Sequence, residues 1–427
     1  MNHEMDRLPR EELRAIQNER LAETVRTAYE SVDFYRKRLT NAGVTPDTID
    51  TVEDLTDVPF TTSSDIRETY PDGLLTVPLD QLQRVHSSSG TTGKAKIFGY
   101  TQADLDRWRR LLARSLRTAG FDPQQTVQNA CKYGMVSGGL GWHDGLEQLG
   151  VTLVPSAVAP PERQIELIRD LDVDGLICFP SFALDLADII DTHGGDPAEL
   201  PVSTVTVGGE PTSRALREEI ADRLDVVVTE HYGLSELFGG GIATECAAAR
   251  DGVHVWEDQF YVEIVDPETG RRVPEGQEGE LVLTSLTKEA MPLLRYRTGD
   301  TASMTTEVCS CGRTHLRVSV TERRRNALSI GDTTVYPTAI EHELLTVPET
   351  APYYRIDLRD APGGDELQIT IERRRDQPID RDAVADRLRQ RLREELSLPS
   401  AEVTIVDPGS VDRPLGEKAT REYDHRS

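Results

Sequence analysis

Ser87-Ser-Ser-Gly-Thr-Thr-Gly-Lys94 is a segment rich in glycine and hydroxyl residues that ends in a lysine. Glycines let backbone amides approach an anion closely, hydroxyls add hydrogen-bond donors, and the lysine adds a positive charge. The pattern therefore predicts a phosphate-binding loop. It differs from a Walker loop, which has four residues between its glycines and a hydroxyl residue after the lysine. Here two residues separate Gly90 from Gly93, and Ala95 follows the lysine. An exposed flexible turn is the alternative interpretation.

The composition of the chain limits its size class and its partners. A chain of 427 residues is too long for one compact core, so at least two domains are expected. The net charge of -26 argues against nucleic acid or an anionic membrane as a partner. Only six of the 48 basic residues are lysines. Acid excess with few lysines is typical of a protein from a high-salt cytoplasm, and an ordinary acidic cytosolic enzyme is the alternative.

The start of the chain and its cysteines indicate a cytoplasmic protein. Residues 1–6 lack the basic and then apolar order of a signal peptide, and no run of residues has the length and apolar character of a membrane span. Five cysteines, two of them one residue apart, fit a reducing interior with a metal site better than they fit disulfides. Cys131 and Cys178 lie in apolar, strand-like segments and are expected in the core.

Periodicity along the chain predicts an α/β protein with a large N-terminal domain and a small C-terminal α+β domain. A helix is predicted over residues 11–35. Strands and amphipathic helices alternate over residues 127–228, which predicts parallel sheet covered by helices. Residues 253–304 have strand and turn character. The small domain has the order helix, strand, strand, helix, strand, and its second helix covers residues 381–396. We place the two domains at residues 1–322 and 323–427.

An ordered set of further motifs accompanies the phosphate loop. They are Tyr133-Gly, Gly138-Gly-Leu-Gly141, Gly208-Gly-Glu-Pro211, Tyr232-Gly-Leu-Ser-Glu236, Glu257-Asp-Gln-Phe-Tyr261, Glu278-Gly-Glu-Leu281, Tyr296-Arg-Thr-Gly-Asp300 and Gly416-Glu-Lys418. Each motif alone is weak, but in this order the chain resembles the phenylacetate–coenzyme A ligase family of the adenylate-forming superfamily. The resemblance covers nearly the whole chain. It implies a large adenylate-forming domain with parallel sheets and helices, followed by a small C-terminal domain.

The resemblance also implies a reaction and the residues that serve it. A carboxylic acid is activated by ATP as an acyl-adenylate with release of pyrophosphate, and coenzyme A then displaces AMP. Tyr232 would stack on adenine, with the backbone of Gly208, Gly209 and Glu210 on the other side, and Asp300 would accept hydrogen bonds from the ribose hydroxyls. Gly233 and Arg323 would also belong to the nucleotide site. Glu236 would bind Mg²⁺, which prefers carboxylate oxygens. Lys418 would reach the α-phosphate, and the β- and γ-phosphates would contact Ser87, Ser88, Ser89, Gly90, Thr91, Thr92, Gly93 and Lys94.

The acid pocket implied by the resemblance suits an aromatic ring. It would be built from Tyr133, Gly138, Gly139, Gly141 and His143, because apolar walls with an aromatic platform fit a flat substrate. Trp142 and Phe179 could line its walls, and ordinary core positions are the alternative for both. A small-molecule acid and coenzyme A are therefore the expected partners. Family members are often dimers, which leaves a homodimer open because the sequence does not fix the oligomeric state.

A structural zinc site is implied by the same family. Some relatives bind zinc through cysteine and histidine from two separate stretches of the large domain, and the matching residues here are Cys246, His254, Cys309 and Cys311. Together they would form a tetrahedral Cys₃His site. His315 is an alternative fourth ligand. Buried free cysteines are the alternative to a metal site.

Two regions depart from the family pattern. At the hinge between the domains, Glu322 replaces a glycine, Arg325 occupies the usual acidic hinge position and Asp332 occupies a glycine turn. Glu417 likewise precedes Lys418 where glycine is usual. In relatives the hinge rotates the small domain for the coenzyme A step, so its altered sequence leaves two alternatives open. One is an adenylyl transferase that acts on a deazaflavin without coenzyme A, and the other is a nucleotide-binding relative without turnover.

Overall fold

The structure is a computed structural model, and it describes residues 4–88, 96–157, 159–331, 333–361, 364–375, 378–398, 400–412 and 421–426. Several predicted residues lie outside these ranges, namely Ser89, Gly90, Thr91, Thr92, Gly93, Lys94, Asp332 and Lys418. Among the helices within the described ranges, none combines the length and the apolar composition that crossing a membrane requires.

The chain begins with two helices where the sequence predicted one. They are α1 (Arg10–Ser31) and α2 (Asp33–Asn41), and a short helix follows, α3 (Ser63–Glu68). Val32 separates α1 from α2 because its backbone is extended, with φ -118° and ψ 108°. The predicted apolar face of α1 is buried and comprises Leu13, Leu21, Val25 and Ala28. The face was therefore predicted correctly, while the end of the helix was not.

A hairpin and a long helix come next. The hairpin strands are β1 (Arg84–Ser87) and β2 (Ile97–Tyr100), which pair antiparallel on either side of the phosphate loop. The helix is α4 (Gln102–Ala119). It begins at a capping box, in which the side chain of Thr101 accepts from the backbone N–H of Asp104 and that of Asp104 accepts from Thr101. The capping box fixes where the chain enters α4 immediately after the hairpin.

The predicted alternation of strands and helices forms a parallel sheet. In chain order its elements are β3 (Thr126–Asn129), α5 (Ser137–Leu149), β4 (Thr152–Val154), α6 (Pro161–Asp170), β5 (Gly175–Cys178), α7 (Pro180–Thr192), β6 (Thr204–Val207), α8 (Arg214–Leu224) and β7 (Val227–Leu234). The five strands run parallel in the spatial order β7-β6-β5-β3-β4. All residues of β5 and β6 are buried, as expected where helices cover a parallel sheet.

Antiparallel strands extend this sheet beyond β7. They are β8 (Gly239–Thr244), β9 (Val253–Val255), β10 (Phe260–Val265), β11 (Gly279–Ser285), β12 (Tyr296–Thr305) and β13 (Arg317–Arg323). Their spatial order is β10-β11-β12-β13-β9-β8-β7, which continues into the parallel strands to give an 11-stranded sheet. The ends of β7 and β12, which carry two of the predicted motifs, therefore belong to one continuous sheet.

The C-terminal part forms a smaller unit with its own sheet. Its elements are β14 (Leu328–Ile330), β15 (Thr333–Val335), α9 (Pro337–Leu345), β16 (Thr350–Ala361), β17 (Gly364–Arg373), α10 (Arg381–Leu396), β18 (Ala401–Val406) and β19 (Glu422–Asp424). The order β18-β17-β16-β19 includes a terminal strand that the sequence did not predict. The predicted apolar face of α10 packs in this unit through Val384, Leu388 and Leu392. The division of the domains after residue 322 stays a prediction.

Polar contacts join the small unit to α7 and α8 of the large one. Two guanidinium nitrogens of Arg374 donate to the two carboxylate oxygens of Glu219, over 2.8 and 2.6 Å. The backbone N–H of Ser213 donates to Glu341 over 2.9 Å. The Tyr353 hydroxyl donates to the carbonyl of Leu184 over 3.3 Å. These contacts hold the small unit against α7 and α8 of the large unit.

Candidate functional site

The described residues on either side of the phosphate loop hold its two ends together. The backbone N–H of Ser88 donates to the carbonyl of Lys96 over 3.1 Å, and the N–H of Lys96 donates to the Ser88 hydroxyl over 3.2 Å. The N–H of Ser87 donates to the carbonyl of Met135 over 2.9 Å. The hairpin is therefore closed where the described residues end, and it is anchored to the segment before α5.

Glu236 lies in the turn after β7 and is buried beside this hairpin. Its carboxylate forms an ion pair with Lys96 and accepts a hydrogen bond from the Tyr296 hydroxyl over 3.1 Å. Burial acts to raise the pKa of Glu236, but the Lys96 ammonium and the hydrogen bonds outweigh it, and the pKa lies below its ordinary value. The site thus contains an ionised carboxylate close to the base of the phosphate loop.

The side chain of Lys288 contacts the backbone of the same turn. Its ammonium donates to the carbonyls of Glu236, over 3.2 Å, and of Leu237, and it lies 4.5 Å from the centre of the Tyr100 ring. Burial lowers the pKa of Lys288 to about 8, with Asp104 and Glu236 acting in the opposite direction. The sequence did not single out Lys96 or Lys288 as site residues. Their signal was the scarcity of lysine, since the chain contains only six.

The residues assigned by resemblance to adenine and ribose lie together. The Tyr232 hydroxyl donates to Oδ2 of Asp300 over 2.5 Å, and Nε of Arg323 lies 3.3 Å from Oδ1. Arg323 faces Asp300 directly across the β12–β13 ladder. Asp300 is 2% exposed, and burial raises its pKa although Arg323 and Tyr232 oppose that effect. The carboxylate is thus oriented from two sides.

Gly208 to Glu210 follow β6 at the carboxyl end of the parallel sheet, where open α/β sheets bind ligands. A Cβ atom on Gly208 would lie 2.6 Å from the His231 ring, so the close approach of these segments requires glycine there. Glu210 accepts hydrogen bonds from the backbone N–H of Ser181, over 3.2 Å, and from its hydroxyl, over 2.8 Å. The segment is thereby fixed to the first turn of α7.

A chain of hydrogen bonds joins the predicted residues of the acid pocket. Nδ2 of Asn129 donates to the Tyr133 hydroxyl over 3.0 Å, and that hydroxyl lies 3.1 Å from Nδ1 of His143. Nε2 of His143 lies 3.2 Å from Glu147 in the next turn of α5. Burial raises the pKa of Tyr133, so its hydroxyl stays protonated. The end of β3 and the start of α5 are therefore connected through Tyr133.

The glycines at the start of α5 differ in their surroundings. A Cβ atom on Gly139 would lie 2.3 Å from the carbonyl oxygen of Lys132, and one on Gly141 would lie 2.4 Å from the Trp108 ring. These two glycines are explained by close packing of α5. Gly138 has no atom within 4 Å of its Cβ position among the described residues, so it borders open space.

The altered hinge has a local structural role. Glu322 is buried at the end of β13, and its carboxylate accepts from the backbone N–H of Thr338, over 3.1 Å, and from its hydroxyl, over 2.9 Å. Nδ2 of Asn326 donates to the other oxygen over 3.2 Å. An acid in this position satisfies an otherwise free N–H in the first turn of α9. The residue that replaces the family's glycine thus connects the hinge strand to the small unit. Arg325 is exposed.

Cys246, His254, Cys309 and Cys311 come together in the large unit. Their ligand atoms all lie within 4.8 Å of one another. The sulfurs of Cys246 and Cys309 are 3.7 Å apart, and Sγ of Cys311 is 3.6 Å from Nε2 of His254. Burial lowers the pKa of His254 to about 4, so the ring is neutral at physiological pH.

His315 does not join this cluster. Its Nδ1 accepts from the backbone N–H of Glu257 over 3.1 Å, while its Nε2 lies 2.8 Å from Arg114 and 3.1 Å from the carbonyl of Met5. Both ring nitrogens are thus engaged elsewhere. The fourth member of the cluster is therefore His254, as expected, and not the alternative His315. The carbonyl of His315 lies 3.3 Å from Nδ1 of His254.

Comparisons with known proteins identify close relatives over the full chain. Residues 5–287 match the AMP-binding enzyme family, and residues 332–426 match the AMP-binding enzyme C-terminal domain. The chain is 42% identical to a phenylacetate–coenzyme A ligase of Thermus thermophilus, over 99% of both chains. It is 38% identical to the enzyme of that name from Escherichia coli, over 98% of this chain and 96% of the relative.

Solved structures of 2-hydroxyisobutyryl-CoA ligase have the same fold. The structure with 2-HIB-AMP in the postadenylation state aligns with a TM-score of 0.91 at 25% identity, over 99% of this chain and 91% of that chain. The structure with 2-HIB-AMP and CoA in the thioesterification state aligns with a TM-score of 0.74 at 25% identity, over 99% and 92%. Identity and coverage are nearly equal in the two alignments, so the higher TM-score shows that the overall arrangement of this chain is more similar to the postadenylation structure of that ligase.

Proposed function

The chain belongs to the phenylacetate–coenzyme A ligase family of AMP-binding enzymes, and on that premise we propose that it joins an aromatic acid such as phenylacetate to coenzyme A. ATP is cleaved to AMP and pyrophosphate in the process. The observation that carries the proposal is the meeting of the β7 and β12 motifs, where Tyr232 contacts Asp300 and Tyr296 contacts Glu236. Relatives named phenylacetate–coenzyme A ligase at 38% to 42% identity support the choice of acid.

The first step is adenylation. A carboxylate oxygen of the acid attacks the α-phosphorus of ATP, the bond from that phosphorus to the bridging oxygen breaks, and pyrophosphate leaves. No protein nucleophile takes part, so the protein contributes positioning and neutralisation of charge. In our assignment Tyr232 stacks on adenine, Asp300 accepts hydrogen bonds from the ribose hydroxyls, and Arg323 holds Asp300 in place. Residues 87–94 bind the β- and γ-phosphates, and Lys418 reaches the α-phosphate.

Glu236 is the residue that we assign to Mg²⁺. A buried carboxylate whose pKa lies below its ordinary value presents an ionised oxygen, which is the ligand type that Mg²⁺ takes. The bound ion would neutralise phosphate charge as pyrophosphate leaves. Lys96 keeps the same carboxylate ionised through its ion pair.

The second step forms the thioester. The sulfur of coenzyme A attacks the acyl carbon, the thiol proton is released, and AMP leaves with the oxygen that joined the acid to phosphorus. The acid lies, in our assignment, beside Tyr133, His143 and the open space at Gly138. An aromatic platform and a neighbouring gap suit a planar ring.

Exchange of labelled pyrophosphate into ATP tests the first step, and thioester formation on adding coenzyme A tests the second. A panel of aryl and short aliphatic acids defines the substrate class. We expect exchange with aryl acids, and Lys418→Ala should reduce it by roughly 10²-fold with little change in ATP affinity. Exchange without any thioester would contradict the ligase assignment, and exchange only with aliphatic acids would contradict the aryl assignment.

We also propose a structural zinc ion at Cys246, His254, Cys309 and Cys311. Zinc–ligand bonds of about 2.0–2.3 Å in a tetrahedron place ligand atoms roughly 3.3–3.8 Å apart, and the separations of 3.7 and 3.6 Å fit that range. The carbonyl of His315 near Nδ1 of His254 leaves Nε2 for the metal. Four protein ligands leave no open position, so the ion would stabilise the fold.

Metal analysis tests the zinc proposal without reference to activity. The wild-type protein should contain about one zinc per chain, and a chelator should lower its melting temperature. Cys309→Ser should lose the metal. Cys131→Ala, which removes a buried cysteine outside the cluster, should keep it. A wild-type protein without zinc that melts identically with and without chelator would remove the proposal.

A further inference from the structure

The turn between β7 and β8 carries Glu236 and covers residues 235–238. The carboxylate of Glu236 is held by an ion pair and by a tyrosine hydroxyl, as described above. Its backbone is held separately, because the carbonyls of Glu236 and Leu237 both accept hydrogen bonds from the ammonium of Lys288. One buried cation therefore fixes two consecutive peptide groups of the turn whose side chain is assigned to Mg²⁺.

The backbone that carries Lys288 is anchored to the start of α4. The N–H groups of Glu289 and Ala290 donate to the two carboxylate oxygens of Asp104, over 2.7 and 2.9 Å. Asp104 is buried, and it is the acid of the capping box at which α4 begins. The N–H of Thr76 donates to the carbonyl of Ala290 over 3.0 Å. Lys288 thus extends to the turn from a fixed segment of backbone.

Aromatic rings surround the ammonium of Lys288. It lies 4.5 Å from the centre of the Tyr100 ring and 5.5 Å from that of the Phe238 ring. The Tyr100 ring stacks in turn on Trp108 of α4, with ring centres 5.2 Å apart. Lys288 is 3% exposed. The ring faces attract the cation, and together with burial they hold the ammonium in this position.

Packing alone does not explain a lysine here. Removing an ammonium from water is costly, and no carboxylate of the described residues forms an ion pair with Lys288. Methionine has a similar length and would fill the same space without that cost. It could not supply the two hydrogen bonds to the turn. A pKa of about 8 keeps the ammonium protonated at neutral pH, so both bonds are present there.

We propose that Lys288 is a positioning residue for the metal ion of adenylation, because by fixing the carbonyls of Glu236 and Leu237 it fixes where the Glu236 carboxylate meets Mg²⁺. This role rests on the proposed function, in which Glu236 binds the ion. Lys288 contacts neither nucleotide nor acid in our assignment and acts through the turn. Groups that orient a metal ligand in this way contribute roughly 10- to 100-fold to metal affinity.

Titration calorimetry of ATP binding with Mg²⁺ and with a chelator tests the proposal, in the absence of any acid. The wild type should bind ATP more tightly with Mg²⁺. Lys288→Met should weaken binding with Mg²⁺ by roughly tenfold and leave metal-free binding unchanged, because the nucleotide contacts themselves are intact. Weaker binding in both conditions would indicate a general disturbance of the nucleotide site and would overturn the proposal. Affinities equal to those of the wild type would overturn it too.

A double-mutant cycle shows whether Lys288 acts through Glu236. Glu236→Gln alone should remove most of the gain in affinity from Mg²⁺. Adding Lys288→Met to Glu236→Gln should then weaken binding with Mg²⁺ by less than about twofold, because the contact that Lys288 positions is already lost. Two losses that multiply independently would contradict action through Glu236.

Phe260→Leu is the matched control variant. Phe260 is buried with its ring centre 6.0 Å from that of Phe238, and it makes none of the contacts of the Lys288 ammonium. We expect a lower melting temperature with the full gain from Mg²⁺. Loss of the gain in this variant as well would overturn the proposal, since any destabilisation would then produce it. Lys288→Gln keeps a polar group at the buried position and replaces Lys288→Met if that variant does not fold, with the same expected result.

Failure of this role and failure of the ligase function are separable. If no acid supports pyrophosphate exchange but Lys288→Met still loses the gain from Mg²⁺, the ligase function is wrong and the role of Lys288 stands. If exchange occurs and Lys288→Met keeps the full gain, only the role of Lys288 is overturned.

Discussion

Glu219→Gln should shift the balance between the two half-reactions. Glu219 lies on α8 of the large unit, and its carboxylate accepts both hydrogen bonds of the Arg374 fork from the small unit. The structure has the arrangement that resembles the postadenylation state. We expect that turning the small unit toward an arrangement like that of the thioesterification structure would separate α8 from Arg374, which follows β17. The pair would then stabilise only the first of the two arrangements.

The size of the shift follows from exposure and geometry. The side chains are 13% exposed for Glu219 and 33% for Arg374, so the pair is partly shielded from water. Exposed ion pairs contribute about 0.2–1 kcal/mol, and paired geometry places this one at the upper end. A loss of about 1 kcal/mol changes the ratio of the two arrangements by about fivefold.

Two single-turnover rates measure this ratio, namely adenylate formation and thioester formation from preformed adenylate. Glu219→Gln should move their ratio toward thioester formation by up to about fivefold. Glu218→Gln is the control, because Glu218 pairs with Arg214 on the exposed face of the same helix, within the large unit. An unchanged ratio in Glu219→Gln, or an equal change in Glu218→Gln, would refute the assignment of this contact.

Four further substitutions test the proposed site and the residues that support it. Glu236→Gln should reduce pyrophosphate exchange by roughly 10²-fold, and normal exchange would remove its assignment to Mg²⁺. Lys96→Met should raise the pKa of Glu236, so the acid limb of the exchange profile should move to higher pH. Burial raises the pKa of Glu230 from its ordinary value of 4.5 to about 7 in the folded protein. The protonated side chain therefore contributes stability that is fully present below pH 4.5 and is lost as the pH rises through 7. The melting temperature of Glu230→Gln relative to wild type should therefore rise from pH 5 to 8, and a constant difference would contradict this. Gly208→Ala should destabilise by about 1–3 kcal/mol through contact with His231, as measured by urea unfolding.

Local sequence patterns predicted the helices and strands of this fold well, because these elements depend on residues that are close to one another in sequence. The helix predicted at residues 381–396 has those bounds, since its apolar residues recur on one face. The break at Val32 was missed because the apolar pattern continues across it. The strand at residues 422–424 was missed because it is short and because it forms by pairing with β16, which is distant in sequence.

The site was predictable in its motifs but not in its contacts. The partners of Glu236 could not be read from spacing, because Lys96 lies 140 residues away in the chain. The choice between His254 and His315 in the cysteine cluster likewise required the ring orientations. Glu322 was visible as a departure from the family, but its hydrogen bonds to Thr338 explain the departure only once the first turn of α9 is located.

The most direct test of the proposed reaction follows one oxygen atom. Phenylacetate labelled with ¹⁸O in its carboxylate is incubated with the enzyme, ATP and coenzyme A, and the AMP is examined by mass spectrometry. Attack of the carboxylate on the α-phosphorus predicts one ¹⁸O in AMP for each thioester formed. Unlabelled AMP, or label in inorganic phosphate instead, would contradict an acyl-adenylate intermediate.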